Sequence, residues 1–241
     1  MKIFRKQRLK LAAGNKLAKY LRYAFGEILL VVIGILIALQ VNNWNERQKD
    51  LVFEREILGQ IRENLIRDKA SLVEINKINK KALYASTQLT DSIKRITDRD
   101  SIPYWLADVA RFTRFHPITN SYEVLKSKGL EIISNNNLRL ELGKYYDDQV
   151  NQTIQDLGDI EFSFNNQWLP LLEKHVKEFN FGKIVVLDDE NAFFRKTRAL
   201  KILILNYDNY NDCSQDVTKV IDQIDKILTL LPEKPKSDTH A

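Results

Sequence analysis

The sequence predicts an all-α protein: a single N-terminal transmembrane helix continuing into an elongated antiparallel helical bundle. Three observations lead there. The window Ala24 to Val41 is apolar apart from Glu27 near one end and Gln40 near the other. Beyond it, apolar residues recur at heptad spacing over two long stretches. Only Lys183 to Leu187, "KIVVL", reads as a strand, and it has no obvious partner, so no sheet is expected. The organisation that follows is a basic cytoplasmic juxtamembrane segment (1–23), a signal-anchor helix (24–43), an extracytoplasmic helical-bundle domain (44–231) and a disordered tail (232–241).

The charge distribution orients this plan. Eight of the 37 lysines and arginines, and none of the 32 acids, fall in the first 26 residues: Lys2, Arg5, Lys6, Arg8, Lys10, Lys16, Lys19 and Arg22. The other 29 basic residues leave the rest of the chain at −3, so the net +5 is not a nucleic-acid footprint. By the positive-inside rule the leader stays in the cytoplasm and the C-terminal domain lies in the periplasm, with the span in the bacterial inner membrane. Tyr20 and Tyr23 on one side and Trp44 on the other suit the two membrane interfaces. Ile3, Phe4 and Leu9 among the charges suit a short helix lying on anionic lipid, and a role limited to setting topology is equally open.

The unbroken apolar run, Ile28 to Leu39, is short for a span, and a cleaved signal peptide or a buried core helix would fit that bare count. The wider window, at ~1.5 Å per residue, covers ~27 Å against a hydrocarbon core of ~30 Å. No small-x-small cleavage site follows in "ALQVNNWNE", and Val, Ile and Leu surround the helix with no polar stripe. An uncleaved signal-anchor is therefore the preferred reading. Within it, Glu27, Gly34 and Ala38 share a face, and Gly34-x-x-x-Ala38 permits close helix approach. Glu27 sits ~5 Å inside the window, where it either snorkels or packs against another helix.

"GEILLVVIGILIALQVNNWNE" (Gly26 to Glu46) and, more loosely, "SYEVLKSKGLEIISNNNLRLELGKYYD" (Ser121 to Asp147) resemble two blocks of a family of uncharacterised single-span bacterial membrane proteins common in Bacteroidota. That resemblance implies a membrane-anchored helical protein and carries no activity.

The elements follow in order. From Leu51 to Ile96 the heptad columns read Leu51, Leu58, Leu65, Leu72, Asn79, Ser86, Ile93 and Glu54, Ile61, Asp68, Ile75, Ala82, Leu89, Ile96, so one helix could run on from the membrane. "TDRDSIP" ends it. Short helices are expected at Tyr104–Phe115 and after a capping-box-like Asn120 and Glu123, closed by Gly129. "SNNN" then offers caps for a helix from Leu138 to about Phe179, with Gly158 and Pro170 as weak points. Asp188 or Asp189 caps the last helix, whose columns read Phe193, Leu200, Tyr207, Ser214, Ile221, Leu228 and Lys196, Leu203, Tyr210, Val217, Ile224, Leu231.

No catalytic, metal or nucleotide motif is found, so no catalytic or metal-binding residue, cofactor or small-molecule ligand is inferred. His116, His175 and His240 lie on separate elements without ligand spacing. Asp188, Asp189 and Glu190 fit helix capping better than a hard cation, and Asp147-Asp148 point apart on a helix. Cys213 is the only cysteine, expected as a half-buried thiol at the edge of the helix stripe and able, if exposed, to cross-link two chains. The sequence thus points to a non-enzymatic scaffold or interaction protein of the cell envelope, contacting membrane lipid and a protein partner or second copy through helix faces. A sensor coupling the bundle across the membrane is the alternative, and an enzyme ranks third.

Overall fold

The computed structural model describes residues 17–95 and 99–232. It divides into two compact units, Met1–Glu54 and Arg55–Ala241. One helix, α1 (Leu17–Arg95), supplies residues to both. The remaining elements belong to the second unit: α2 (Ile102–Val109), α3 (Asn120–Lys128), a helical run in pieces from Asn136 to Leu172, the strands β1 (Val176–Asn180) and β2 (Ile184–Leu187), α7 (Glu190–Lys196) and α8 (Ala199–Leu230). Within the run, α4 (Asn136–Gly143), α5 (Val150–Ser163) and α6 (Leu169–Leu172) are joined by π-helical turns, Lys144–Gln149 and Phe164–Trp168.

In the second unit the heptad reading of α1 holds. Leu58, Leu65, Leu72, Ile61, Ile75, Ala82 and Leu89 are all buried, and so are the polar members of the same columns, Asp68, Asn79 and Ser86. α8 runs antiparallel to α1, as the cross-links show. Passing up α1, Arg62, Lys69, Asn76 and Asn79 meet Leu228, Asp225, Thr218 and Cys213 in descending order on α8. Arg62 closes the end of α8, its guanidinium donating to the carbonyls of Leu228 (3.1 Å), Leu231 (2.8 Å) and Pro232 (3.1 Å). A cation there completes orphan carbonyls and meets the negative end of the helix dipole.

The predicted stripe of the last helix is displaced. Leu203, Tyr210, Val217, Ile224 and Leu231 are buried as one predicted column; of the other, Phe193 and Ser214 are buried but Tyr207 is exposed, and the buried partner column of the helix is Ala199, Asn206, Cys213, Val220 and Ile227. The polar Asn206 hid that column. It is buried because its side-chain amide donates to the Ser163 hydroxyl at 2.6 Å. The helix also starts late: Asp189 caps α7 by accepting from the Ala192 amide at 3.0 Å, then Thr197 and Arg198 interrupt before α8 begins.

The π turns explain the long run. Each inserts about one extra residue per turn, which shifts the inward stripe; Tyr145, Tyr146 and Phe164 of these turns are buried. The second turn leads into Pro170. Proline has no N–H for the carbonyl of Asn166, which instead accepts from Arg198 at 3.4 Å. Asn135 caps the run, accepting from the amides of Asn137 and Leu138. Gly158 introduces no break in α5.

The run ends at Leu172 rather than near Phe179, because residues 176–180 pair with β2 in an antiparallel hairpin. This corrects the expectation that no sheet forms. The turn is three residues long, and Gly182 takes φ +65°, the left-handed conformation such hairpins require. A methyl group at Gly182 would come within 2.8 Å of the Arg111 guanidinium, which donates to the Gly182 carbonyl at 3.3 Å. Two further expectations fail locally. Tyr104–Phe115 is helical only as far as Val109, whose carbonyl accepts from the buried Tyr210 hydroxyl at 2.6 Å. Asn120 does not cap α3, where Thr119 is the N-cap residue; its side-chain oxygen instead accepts from Asn64 at 3.1 Å. The core at the hairpin end joins Leu89 of α1 to Leu106, Trp168, Val185, Phe193 and Leu203.

Leu65 and Ile66 test this assignment as neighbours on α1, one fully buried and one 51% exposed. Leu65→Ala is expected to cost ~2–5 kcal/mol in urea unfolding. Ile66→Ala should stay within ~0.5 kcal/mol; equal effects would refute the stripe.

Candidate functional site

Two features stand out, one in each unit. In the first unit, Ile28 through Val41 of α1 are all exposed. One helix is long and apolar enough to cross a membrane, and nothing in its apolar window is buried. Core helices of soluble proteins are mostly buried, and this window is not covered by any part of the described chain. Each large apolar side chain left in water forgoes roughly 1.5–3 kcal/mol of burial, so this surface requires an apolar covering. Gly34 and Ala38 lie on this helix, and a Cβ at Gly34 would meet nothing within 4 Å. Glu27 is half-buried, while Tyr23 and Trp44 are 55% and 64% exposed. Lys19, Tyr20 and Arg22 fall in α1, their side chains outside the described set; Lys2, Arg5, Lys6, Arg8, Lys10 and Lys16 lie outside the described residues.

In the second unit, the polar members of the α1 stripe form a buried seam. Asp68 is 2% exposed; it accepts from the Tyr145 hydroxyl at 2.8 Å and from the Ile118 amide at 3.1 and 3.3 Å. Burial raises its pKa, which those two donors only partly offset. The phenols around it are held protonated: burial, then the Asp68 charge, pushes Tyr145 and Tyr146 well above the usual range. Tyr146 stacks on Tyr122 with ring centroids 4.3 Å apart and meets Tyr145 edge-on at 4.7 Å. Tyr122 donates at 2.7 Å to Asp147, which also binds the Lys126 ammonium at 2.8 Å. Burial pulls the Asp147 carboxyl upward, but Lys126 and Tyr122 outweigh it and hold the group below its usual value.

One turn towards the start of α1, Asn64 donates to Asn120 and Ser121, both at 3.1 Å, and Ser121 donates to Gln60 at 3.2 Å. Towards its end, Asn76 donates to Thr218 at 2.9 Å and accepts from Ser214 at 2.7 Å; Asn79 donates to the Cys213 sulfur at 3.2 Å. Cys213 is wholly buried, not half-buried at an edge, and burial pushes its thiol up to about 12. Such a thiol is unreactive and cannot bridge two chains.

This arrangement holds helices in register. Asp68, Tyr122, Tyr145 and Tyr146 are all buried; Tyr145 and Tyr122 donate within the fold, and the Tyr146 hydroxyl is buried with no hydrogen-bond partner among the described residues. His175 lies edge-on to Phe193 at 5.7 Å and His116 is exposed; no group of three His, Cys, Asp or Glu side chains able to hold a metal occurs among the described residues. The heptad reading passed over Asp68 and Asn79 as interruptions, and their positions within the apolar columns were the signal that could have found them; Asn76, beside Ile75, lay outside both columns.

Together these features define a largely helical protein with one helix long and apolar enough to span a membrane. The chain belongs to a family of unknown function, DUF6090, whose model matches residues 27–167 and so takes in both resembling blocks, except Gly26. No curated protein and no solved structure matches it.

The two aspartates carry opposite pH dependences. The raised folded-state pKa of Asp68 means that its contribution to stability weakens as pH rises from 3.8 upward; the lowered value of Asp147 means that its contribution is lost as pH falls below 3.8. In urea titrations from pH 3 to 7, Asp68→Asn should flatten the loss above pH ~4 and leave the acid limb in place. Tyr145→Phe, which removes a buried donor to Asp68, should cost ~1–3 kcal/mol at pH 7.

Proposed function

We propose that this chain is a non-enzymatic, membrane-anchored interaction protein of the bacterial cell envelope. The first part of α1 crosses the inner membrane once, the basic leader stays in the cytoplasm, and the helical unit works in the periplasm as a scaffold or assembly partner. The observation that carries this reading is the bare apolar surface from Ile28 to Val41, borne by the same helix whose later turns build the second unit's core. Lipid is the covering that matches an apolar surface all round a helix. The open Gly34–Ala38 face provides room for a second helix, from another copy or from a partner.

The unbroken course of α1 from Leu17 to Arg95 supports the second reading, a sensor. A continuous helix can transmit a rotation or shift, and a partner protein would supply the output.

Native-host membranes washed with alkaline carbonate should retain the full chain, and a C-terminal alkaline phosphatase fusion should be active. Release by carbonate, or a mature N-terminus downstream of Asn42, would rule out the anchor. Affinity purification after detergent solubilisation should recover a stoichiometric complex or a homo-oligomer; recovery of the monomer alone would count against the scaffold reading. Gly34→Leu with Ala38→Leu should reduce in-membrane cross-linking at least several-fold if that face packs.

A further inference from the structure

Between α1, α2 and α8 lies an open groove of about 800 Å³. Its apolar walls are Val73 and Tyr84 of α1, Tyr104 and Trp105 of α2, and Ile221 of α8. Tyr84 and Tyr104 are 60% and 57% exposed, so ring faces are presented to solvent instead of being packed away. Lys77, Lys80 and Lys81 line the same groove, against one acid, Asp108.

The groove residues of α1 follow one helical stripe, Val73, Lys77, Lys80 and Tyr84, at the spacing of successive turns, with Lys81 beside it. Lysines three and four residues apart repel one another by ~0.2–0.5 kcal/mol per pair. Local compensation is small. Lys77 reaches Glu74 at 3.5 Å, with both side chains more than 60% exposed, a pair of little strength. Lys81 acts on Asp108, and Lys80 has no acidic partner among the described residues. Lys80 is therefore left without an acid and Lys77 with only a weak one, so the groove stays net positive against aromatic walls, where the local dielectric falls and an anion is held more strongly than in open water.

We propose that this groove binds an organic anion that carries one acidic head group on an apolar, aryl or acyl body. The head lies against Lys77, Lys80 and Lys81, and the body lies along Trp105, Tyr84 and Tyr104. The volume is that of a small-molecule site, typically ~300–1,000 Å³. A protein partner would need ~800 Å² of surface on each side, more than five apolar side chains provide. Asp108, half-buried in the groove, disfavours a second acidic group and can accept a hydrogen bond from a ligand donor.

The test uses the full chain in phosphatidylcholine nanodiscs, titrated with 2-naphthoate by calorimetry against empty nanodiscs. The neutral analogue 2-naphthalenemethanol is the control. Naphthoate should bind at least tenfold more tightly than the alcohol, and 0.5 M NaCl should weaken naphthoate alone. Lys80→Glu with Lys81→Glu should lower naphthoate affinity at least tenfold without changing the unfolding midpoint, since both side chains are exposed. Tyr104→Ser should weaken the acid and the alcohol alike. Equal binding of the two compounds, or unchanged naphthoate binding in the double lysine variant, would overturn the proposal. Repeating the titration in nanodiscs containing phosphatidylglycerol separates the sources: competition assigns the anion to a lipid, and undiminished binding assigns it to a soluble molecule.

Discussion

Helix α1 buries one stripe, from Ile57 to Leu89, and the polar seam of the second unit is built along it. A single amphipathic helix cannot cover its own apolar face, so α1 needs partners, and α8 returns antiparallel along it. Apolar packing alone would tolerate a slip of one heptad, because Leu58, Leu65 and Leu72 are interchangeable knobs. Asp68, Asn76 and Asn79 are not interchangeable. Each has its own donors or acceptors, and a slip would leave a buried carboxylate or amide unpaired, at ~1–3 kcal/mol or more for each group. Those polar residues convert a generic helix pairing into one register.

The same seam ties in the segments between the long helices. Ile118, Asn120 and Ser121 come to α1 through hydrogen bonds, not through apolar burial alone. The first π turn lets Tyr145 and Tyr146 both face inward, so one can reach Asp68 while the other stacks on Tyr122.

Along α1, exposed chemistry comes in two forms. In the first unit the helix is apolar on all sides, with Gly34 and Ala38 leaving a shallow face. In the second unit its outer face carries lysines beside aromatic rings, while its inner face is packed. The first surface suits lipid and the second suits an anion with an apolar body. Neither contains a nucleophile activated by a base, and the buried Cys213 thiol is kept protonated.

The sequence by itself determined the helical class, the apolar window, the α1 stripe, and the capping segments 134–137 and 188–189, because each of these depends on residues within one or two turns of one another; it did not determine which residue caps or which helix Asp189 serves. Periodicity and capping are local, so they are legible without a partner. Tertiary structure decided the rest. The hairpin was hidden because "VKEFN" has no strand signature of its own, and it becomes a strand only by pairing with Ile184–Leu187 across Gly182. The stripe of α8 was shifted because Asn206 looks like a surface residue until Ser163 is opposite it. Asp68 read as an error in a heptad; what makes it a centre of the fold is a tyrosine and an amide from 77 and 50 residues away. The groove needed three helices to converge before Lys80 was anything other than one charge on a wet face.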